Sequence, residues 1–170
     1  AAETLLGQRE LFNYREFESV DRQLFFVAED LAGSTSIFIT DGTGAGTRAL
    51  DLPGIEGPAN LTAVDDVLFF TANADADAQT VQLWKTDGTE AGTVLVRDDL
   101  FNTADQPIAG FTSGGGKLFF ATGGGTQIWE SDGTAAGTDT VSKSGFFTGS
   151  DPSTLTIVES DVEADPIVFV

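Results

Sequence analysis

The sequence predicts an all-β chain built from a repeated unit, and three observations carry that expectation. The first is a gapless recurrence of eleven residues: IFITDGTGAGT over Ile37 to Thr47, LWKTDGTEAGT over Leu83 to Thr93 and IWESDGTAAGT over Ile128 to Thr138. Their Asp-Gly pairs begin at positions 41, 87 and 132, so the period is 46 and then 45 residues. The second is a landmark that precedes each of them in fixed order: Leu24-Phe25-Phe26, Leu68-Phe69-Phe70 and Leu118-Phe119-Phe120. The third is composition. With 20 Gly and 14 Phe, and with Thr and Val in the units in place of Ala, Leu, Glu and Lys at helical spacing, the repeat is one of strands and turns. A period of this length suits a four-stranded propeller blade and, once the helical pattern is missing, excludes a helical pair of similar length.

Each unit divides into four short strands. In the second they are expected at Leu61 to Val64, Val67 to Ala72, Val81 to Thr86 and Thr93 to Arg97. Asp65-Asp66 makes the first tight turn, Asn73 to Thr80 a longer loop, and Asp87 to Gly92 the last turn. Asp21-Arg22 and Gly114-Gly115-Gly116 take the first-turn place in the other two units. Leu155 to Val158 and Ile167 to Val170 read as two further strands, half of a fourth blade, to which residues 1–12 can add a strand. The expected fold is therefore a β-propeller of four-stranded antiparallel blades, three full blades plus a half blade at the C-terminus. It is either a closed four-bladed ring or an open arc completed by oligomerisation. The whole of 1–170 is one domain, with repeats at about 12–52, 60–98 and 110–143 and the half repeat at 153–170.

Within the recurring segment, Asp41-Gly42, Asp87-Gly88 and Asp132-Gly133 are expected to form tight turns. Gly supplies positive φ, and the carboxylate accepts from an N–H two residues on. The second glycine of each turn, at 46, 92 and 137, is expected at another positive-φ or bulge position. A turn role suffices for the three aspartates; a shared ligand or calcium role is the alternative. Phe38, Trp84 and Trp129 share one repeat position and are expected to pack between blades, with ligand stacking as the alternative. Three consecutive large apolar residues in Leu-Phe-Phe imply burial on both faces of the strand, as blades stacked on either side provide.

The segment Leu83 to Thr93, with Leu-Phe-Phe-x-Ala before it, resembles a bacterial repeat family usually written Glu-Leu-Trp-x-Ser-Asp-Gly-Thr-x-x-Gly-Thr. The resemblance covers roughly residues 20–141. It implies a β-propeller within large secreted or surface-associated bacterial proteins, and it transfers no catalytic residue. The first repeat departs from the pattern with Phe38 for Trp and Gly44-Ala45 in the turn, and Gln82 and Gln127 stand for the usual Glu. The turn is loosely similar to the Asp-box of sialidase propellers, whose Ser-x-Asp-x-Gly-x-x-Trp spacing is absent.

Charge and composition narrow the function. The 27 acidic and 8 basic residues give a formal net charge of −19. Such a surface repels nucleic-acid phosphate and anionic membrane, so neither nucleic acid nor membrane insertion is expected. The chain has no Cys and no His, which removes thiolate sites, disulfides and the commonest general base. No Gly-x-Ser-x-Gly elbow exists, and the two Gly triplets are followed by no Gly-Lys-Ser/Thr. Asp65-Asp66 and Asp98-Asp99 are sequence neighbours that a strand would point to opposite faces. The chain is therefore not expected to be an enzyme. No cofactor is expected either, with one candidate set aside: Asn73, Asp75 and Asp77 place oxygen side chains at alternate loop positions, as calcium favours, against the alternative of a solvated acidic loop.

The functional expectation is a non-catalytic extracellular binding or adhesion module. It would present the loops Asp30 to Ser36, Asn73 to Thr80 and Gly123 to Thr126 on a rigid scaffold to a protein or glycan partner. The alternative is a structural subunit of a surface assembly, oligomer or filament formed by self-association, motivated by the apolar run Pro166 to Val170. A carboxylate-dependent glycoside hydrolase comes third. Secretion or a bacterial cell surface, in a marine or saline setting, is expected from the acidity, the low Lys content and an Ala1-Ala2-Glu3 opening. That opening fits a mature end after signal-peptide cleavage and equally an engineered start.

Overall fold

A computed structural model describes residues 11–50, 52–73, 80–101, 108–123, 127–141, 156–158 and 167–169. The protein is all-β, with three four-stranded antiparallel sheets and no α-helix among the described residues. The first sheet holds β1 (Leu11–Val20), β2 (Gln23–Asp30), β3 (Thr35–Thr40) and β4 (Arg48–Ala49). The second holds β5 (Glu56–Val64), β6 (Val67–Asn73), β7 (Thr80–Thr86) and β8 (Val94–Phe101). The third holds β9 (Ala109–Gly114), β10 (Lys117–Thr122), β11 (Gln127–Ser131) and β12 (Thr138–Thr140), and β13 (Thr156–Val158) pairs with β14 (Ile167–Phe169) as a separate hairpin. In each sheet the strands lie side by side in chain order, so every connection is a hairpin.

The second sheet departs from expectation at its entry: β5 begins at Glu56, five residues before the expected Leu61. Two register shifts, between Glu56 and Ala59 and between Ala59 and Thr62, break the period-2 pattern that marks a strand in sequence. Pro58 is tolerated because it falls in this bulged stretch. The same irregularity recurs across the units. Glu16, Asn60 and Gly110 all have positive φ (54°, 56° and 69°), and each stands two residues before the partner of the first Phe of its pair. The bulge is thus a repeated device that twists the first strand, although no repeated residue type announces it.

Alternation along β2, β6 and β10 sends the two phenylalanines of each pair to opposite faces. Phe25 and Val27, with Ile37 and Ile39 from β3, form one core with Leu61, Leu68, Phe70 and Ala72 of the second sheet. Phe69, Leu83, Val96 and Leu100 on the other face of the second sheet form the next core with Leu118 and Phe120 of the third. All six phenylalanines of the pairs are buried, as expected of strands covered on both faces. We call the face carrying Phe26, Phe70 or Phe120 the front of its sheet, and the face carrying Phe25, Phe69 or Phe119 the back. Front meets the back of the sheet before it in both interfaces.

First strands lie nearest one another: β5 packs against β1, β9 against β5, and β13 against β9. Polar links cross the same interfaces. Glu16 Oε2 accepts from Leu61 N–H at 3.1 Å, the Arg48 guanidinium donates to Gly88 O, and Arg97 Nη1 donates to Thr138 O at 3.0 Å. The described residues form no closed ring.

Candidate functional site

The recurring turn is the best-defined polar constellation among the described residues. In the first unit Asp41 Oδ1 accepts from Thr43 N–H at 2.9 Å and from the Thr43 hydroxyl at 2.7 Å. Thr43 Oγ1 in turn accepts from Gly46 N–H at 2.9 Å, and Thr47 Oγ1 donates to Thr43 O at 2.6 Å. Thr40 Oγ1 accepts from Gly42 N–H at 3.0 Å and lies 2.7 Å from Thr47 Oγ1. The same bonds recur about Asp87 with Thr86, Thr89 and Thr93, and about Asp132 with Ser131, Thr134 and Thr138. Every hydroxyl position of the motif is therefore occupied by a bond inside the turn.

Gly42, Gly88 and Gly133 take positive φ, at 89°, 88° and 82°. The second glycines do not, which corrects the positive-φ alternative expected for 46, 92 and 137. Their reason is space. A Cβ on Gly46, Gly92 or Gly137 would stand 2.0–2.4 Å from the carboxylate of Asp41, Asp87 or Asp132, inside any permitted contact. The carboxylate folds back over the end of its own turn, and only a hydrogen leaves room for it.

The three turn carboxyls are held below the ordinary Asp value, first by the threonine hydroxyl two residues on and then by the same threonine's N–H. A carboxylate so held keeps its charge and is a poor proton donor near neutrality. Glu18 goes the other way: burial pushes its carboxyl up, and a bond from the Ala63 backbone opposes the rise. It is half-buried on the side of β1 that faces the second sheet.

Phe38, Trp84 and Trp129 stack on the front-face phenylalanine of their own sheet. Ring centroids are 5.7, 6.5 and 6.0 Å apart at interplanar angles of 20°, 14° and 11°. Trp84 packs into the core between the first and second sheets and Trp129 into the next one. Their indole N–H groups donate to Gln82 Oε1 and Thr122 Oγ1, both at 3.0 Å. The Arg97 guanidinium lies over the Trp129 ring, 4.6 Å from its centroid. Sequence reasoning missed Arg48, Arg97 and Glu16 as links between sheets. Each occurs once, so no repeat position marks it.

Of the expected recognition loops, Asp30 to Ser36 is described. Asp30 Oδ1 accepts from Ala32 and Ser34 N–H at 2.9 and 3.0 Å, which fixes the loop and leaves Leu31 at its tip 71 % exposed. Beside it an open cleft of about 360 Å³ runs between the first two sheets, lined by Thr35, Ser36, Leu50, Ile55 and Pro58. Residues 74–79 and 124–126 of the other two loops lie outside the described residues. So do Asp75 and Asp77 of the calcium candidate; Asn73 ends β6, paired in register with Glu56. Among the described residues no three acidic side chains gather as a metal would require. No helix of the described residues is long and apolar enough to cross a membrane. Compared with known proteins, the chain matches no family model, no curated protein and no solved structure.

Proposed function

We propose that the chain is a non-catalytic extracellular binding module, its three sheets acting as propeller blades that hold recognition loops on a rigid frame. The observation that carries this reading is the contrast between frame and loops. The frame repeats down to individual hydroxyl bonds, whereas the stretches between the paired residues Phe26 and Phe38, Phe70 and Trp84, and Phe120 and Trp129 differ in both length and residues. Selection on packing keeps turns alike; unlike loops on a like frame are where recognition resides. Leu31 offers a protein or glycan partner an exposed apolar contact, and the neighbouring cleft adds a more polar surface that includes Thr35 and Ser36. The repeated aspartates are committed to their turns, which argues against a hydrolytic pair drawn from them. The blade arrangement itself is supported by the run of neighbouring first strands, β1 to β5 to β9 to β13.

Glycan and protein arrays probed with the full chain test the reading. Saturable binding that Leu31→Asp abolishes, with unchanged circular dichroism, is the expected result. Binding that tracks only the charge of the arrayed molecule, or none across broad panels, overturns it. A second reading, a structural subunit of a larger assembly, is favoured by the exposed Tyr14 and Phe17 on β1.

A further inference from the structure

We infer that the front face of the first sheet is a docking surface for the back face of one more unit of this repeat, standing immediately ahead of β1 in the stack. The inference rests on the reading of the sheets as stacked blades. Three comparisons between equivalent positions carry it.

The first concerns the first strands. Aligned through their pairing with Phe25, Phe69 and Phe119, positions 14 and 17 of β1 correspond to 58 and 61 of β5 and to 108 and 111 of the third unit. Pro58 is buried, and Leu61 and Ile108 are 6 % and 7 % exposed. Tyr14 and Phe17 are 53 % and 56 % exposed, although they are the larger side chains. They lie over Phe26, with centroids 5.9 and 5.8 Å away, as Phe111 lies over Phe120. Both positions are apolar in every unit; they are buried in the second unit, buried at Ile108 and half-buried at Phe111 in the third, and more than half exposed only in the first.

The second concerns the turns. A Cβ on Gly88 would stand 3.2 Å from Phe25 and 3.4 Å from Ile39, and one on Gly133 3.1 Å from Phe69, because each turn rests on the back of the sheet before it. Both glycines are buried. Gly42 is exposed, with nothing within 4 Å of the same point. The third concerns charge. Glu16 and Glu18, the acids that flank Phe17, are engaged by backbone groups of the second sheet and so leave the front face to aromatic and aliphatic groups. Both interfaces inside the chain join a front to the back of the unit immediately before it in sequence. The first front therefore fits the set that such a back presents: a phenylalanine on the second strand and aliphatic residues on the third.

The test joins a duplicate of residues 56–108 directly ahead of Leu11, with the natural 102–108 connection as the link, and compares it with the 170-residue chain. The extended chain should unfold in one transition with its midpoint raised by about 5 °C or more. Amide exchange along β1 should slow by at least about tenfold. Phe17→Glu should cancel both gains in the extended chain and shift the midpoint of the 170-residue chain by no more than about 2 °C. A separate transition for the added unit, or unchanged exchange along β1, overturns the inference. Two results on the 170-residue chain also overturn it by naming another occupant. One is a dimer in sedimentation that Phe17→Glu dissociates. The other is a monomer with slow exchange along β1 that the same substitution destabilises, which is closure by the chain's own C-terminal unit. None of these outcomes depends on array binding, so the binding reading stands or falls separately.

Discussion

The second glycine of each turn is the residue with the least freedom to change. Gly92→Ala puts a methyl where the Asp87 carboxylate lies, and the carboxylate cannot swing away without leaving both bonds from Thr89. The expected loss is about 1–3 kcal/mol, read from urea unfolding, with Gly54→Ala, a positive-φ glycine with open space around it, as the smaller comparison. The carboxylates carry a pH signature. Their folded values lie below the ordinary 3.8, so the stability they contribute is present above that value and lost as pH falls through the lowered folded values. Thr89→Val removes the larger cause of the shift. NMR titration should then place Asp87 closer to its ordinary value, with less stability lost in acid; an unmoved titration contradicts the account. The Asp-Gly tips were legible because positive φ and a short acceptor side chain are local demands. The reason for the second glycine was not. Spacing cannot tell a backbone that turns left from one that another side chain leans upon.

Strands and their two-sided burial were legible because a run such as Leu68-Phe69-Phe70 admits few alternatives: both faces must find cover. Phe70→Ala is accordingly expected to cost about 3–5 kcal/mol, since Phe70 is fully buried between the first two sheets beside Trp84. Trp84→Phe should cost far less than Phe70→Ala, because Phe38 already fills that repeat position with the same stacking on Phe26. Thermal unfolding of the two variants checks the order, and equal losses would show that the indole N–H bond to Gln82 carries more than the ring. The long entry of β5 was not legible. Its pattern is interrupted at Gly57-Pro58 and again at Asn60, residues that read as a connection in sequence and act as bulges once β6 is alongside. The cleft beside Ser36 was hidden for a related reason: it is made by two sheets that meet, and neither sequence segment records the other.

At the scale of the molecule, charge decides what packing alone does not. The chain carries −19 over 170 residues. The described ion pairs do little to offset it. Arg97 with Asp99 and Lys117 with Glu130 are both partly exposed at the surface, and such pairs contribute about 0–1 kcal/mol each. Folding gathers the acids into a smaller volume, so their mutual repulsion weighs more on the folded state than on the extended one. Added salt should therefore stabilise the protein. The screening length falls from about 30 Å at 0.01 M to about 8 Å at 0.15 M, and most of the repulsion between separated surface charges is removed over that range. The melting midpoint is expected to climb steeply between these two concentrations of sodium chloride and to flatten beyond them, with potassium chloride indistinguishable. A falling midpoint would mean that favourable ion pairs outweigh the repulsion, against the geometry of Arg97 and Lys117. Repeating the series with calcium at matched ionic strength separates screening from coordination. Coincident curves leave Asn73, Asp75 and Asp77 as a solvated loop. A further rise, saturating at low calcium and lost in Asp75→Asn, assigns them a bound cation.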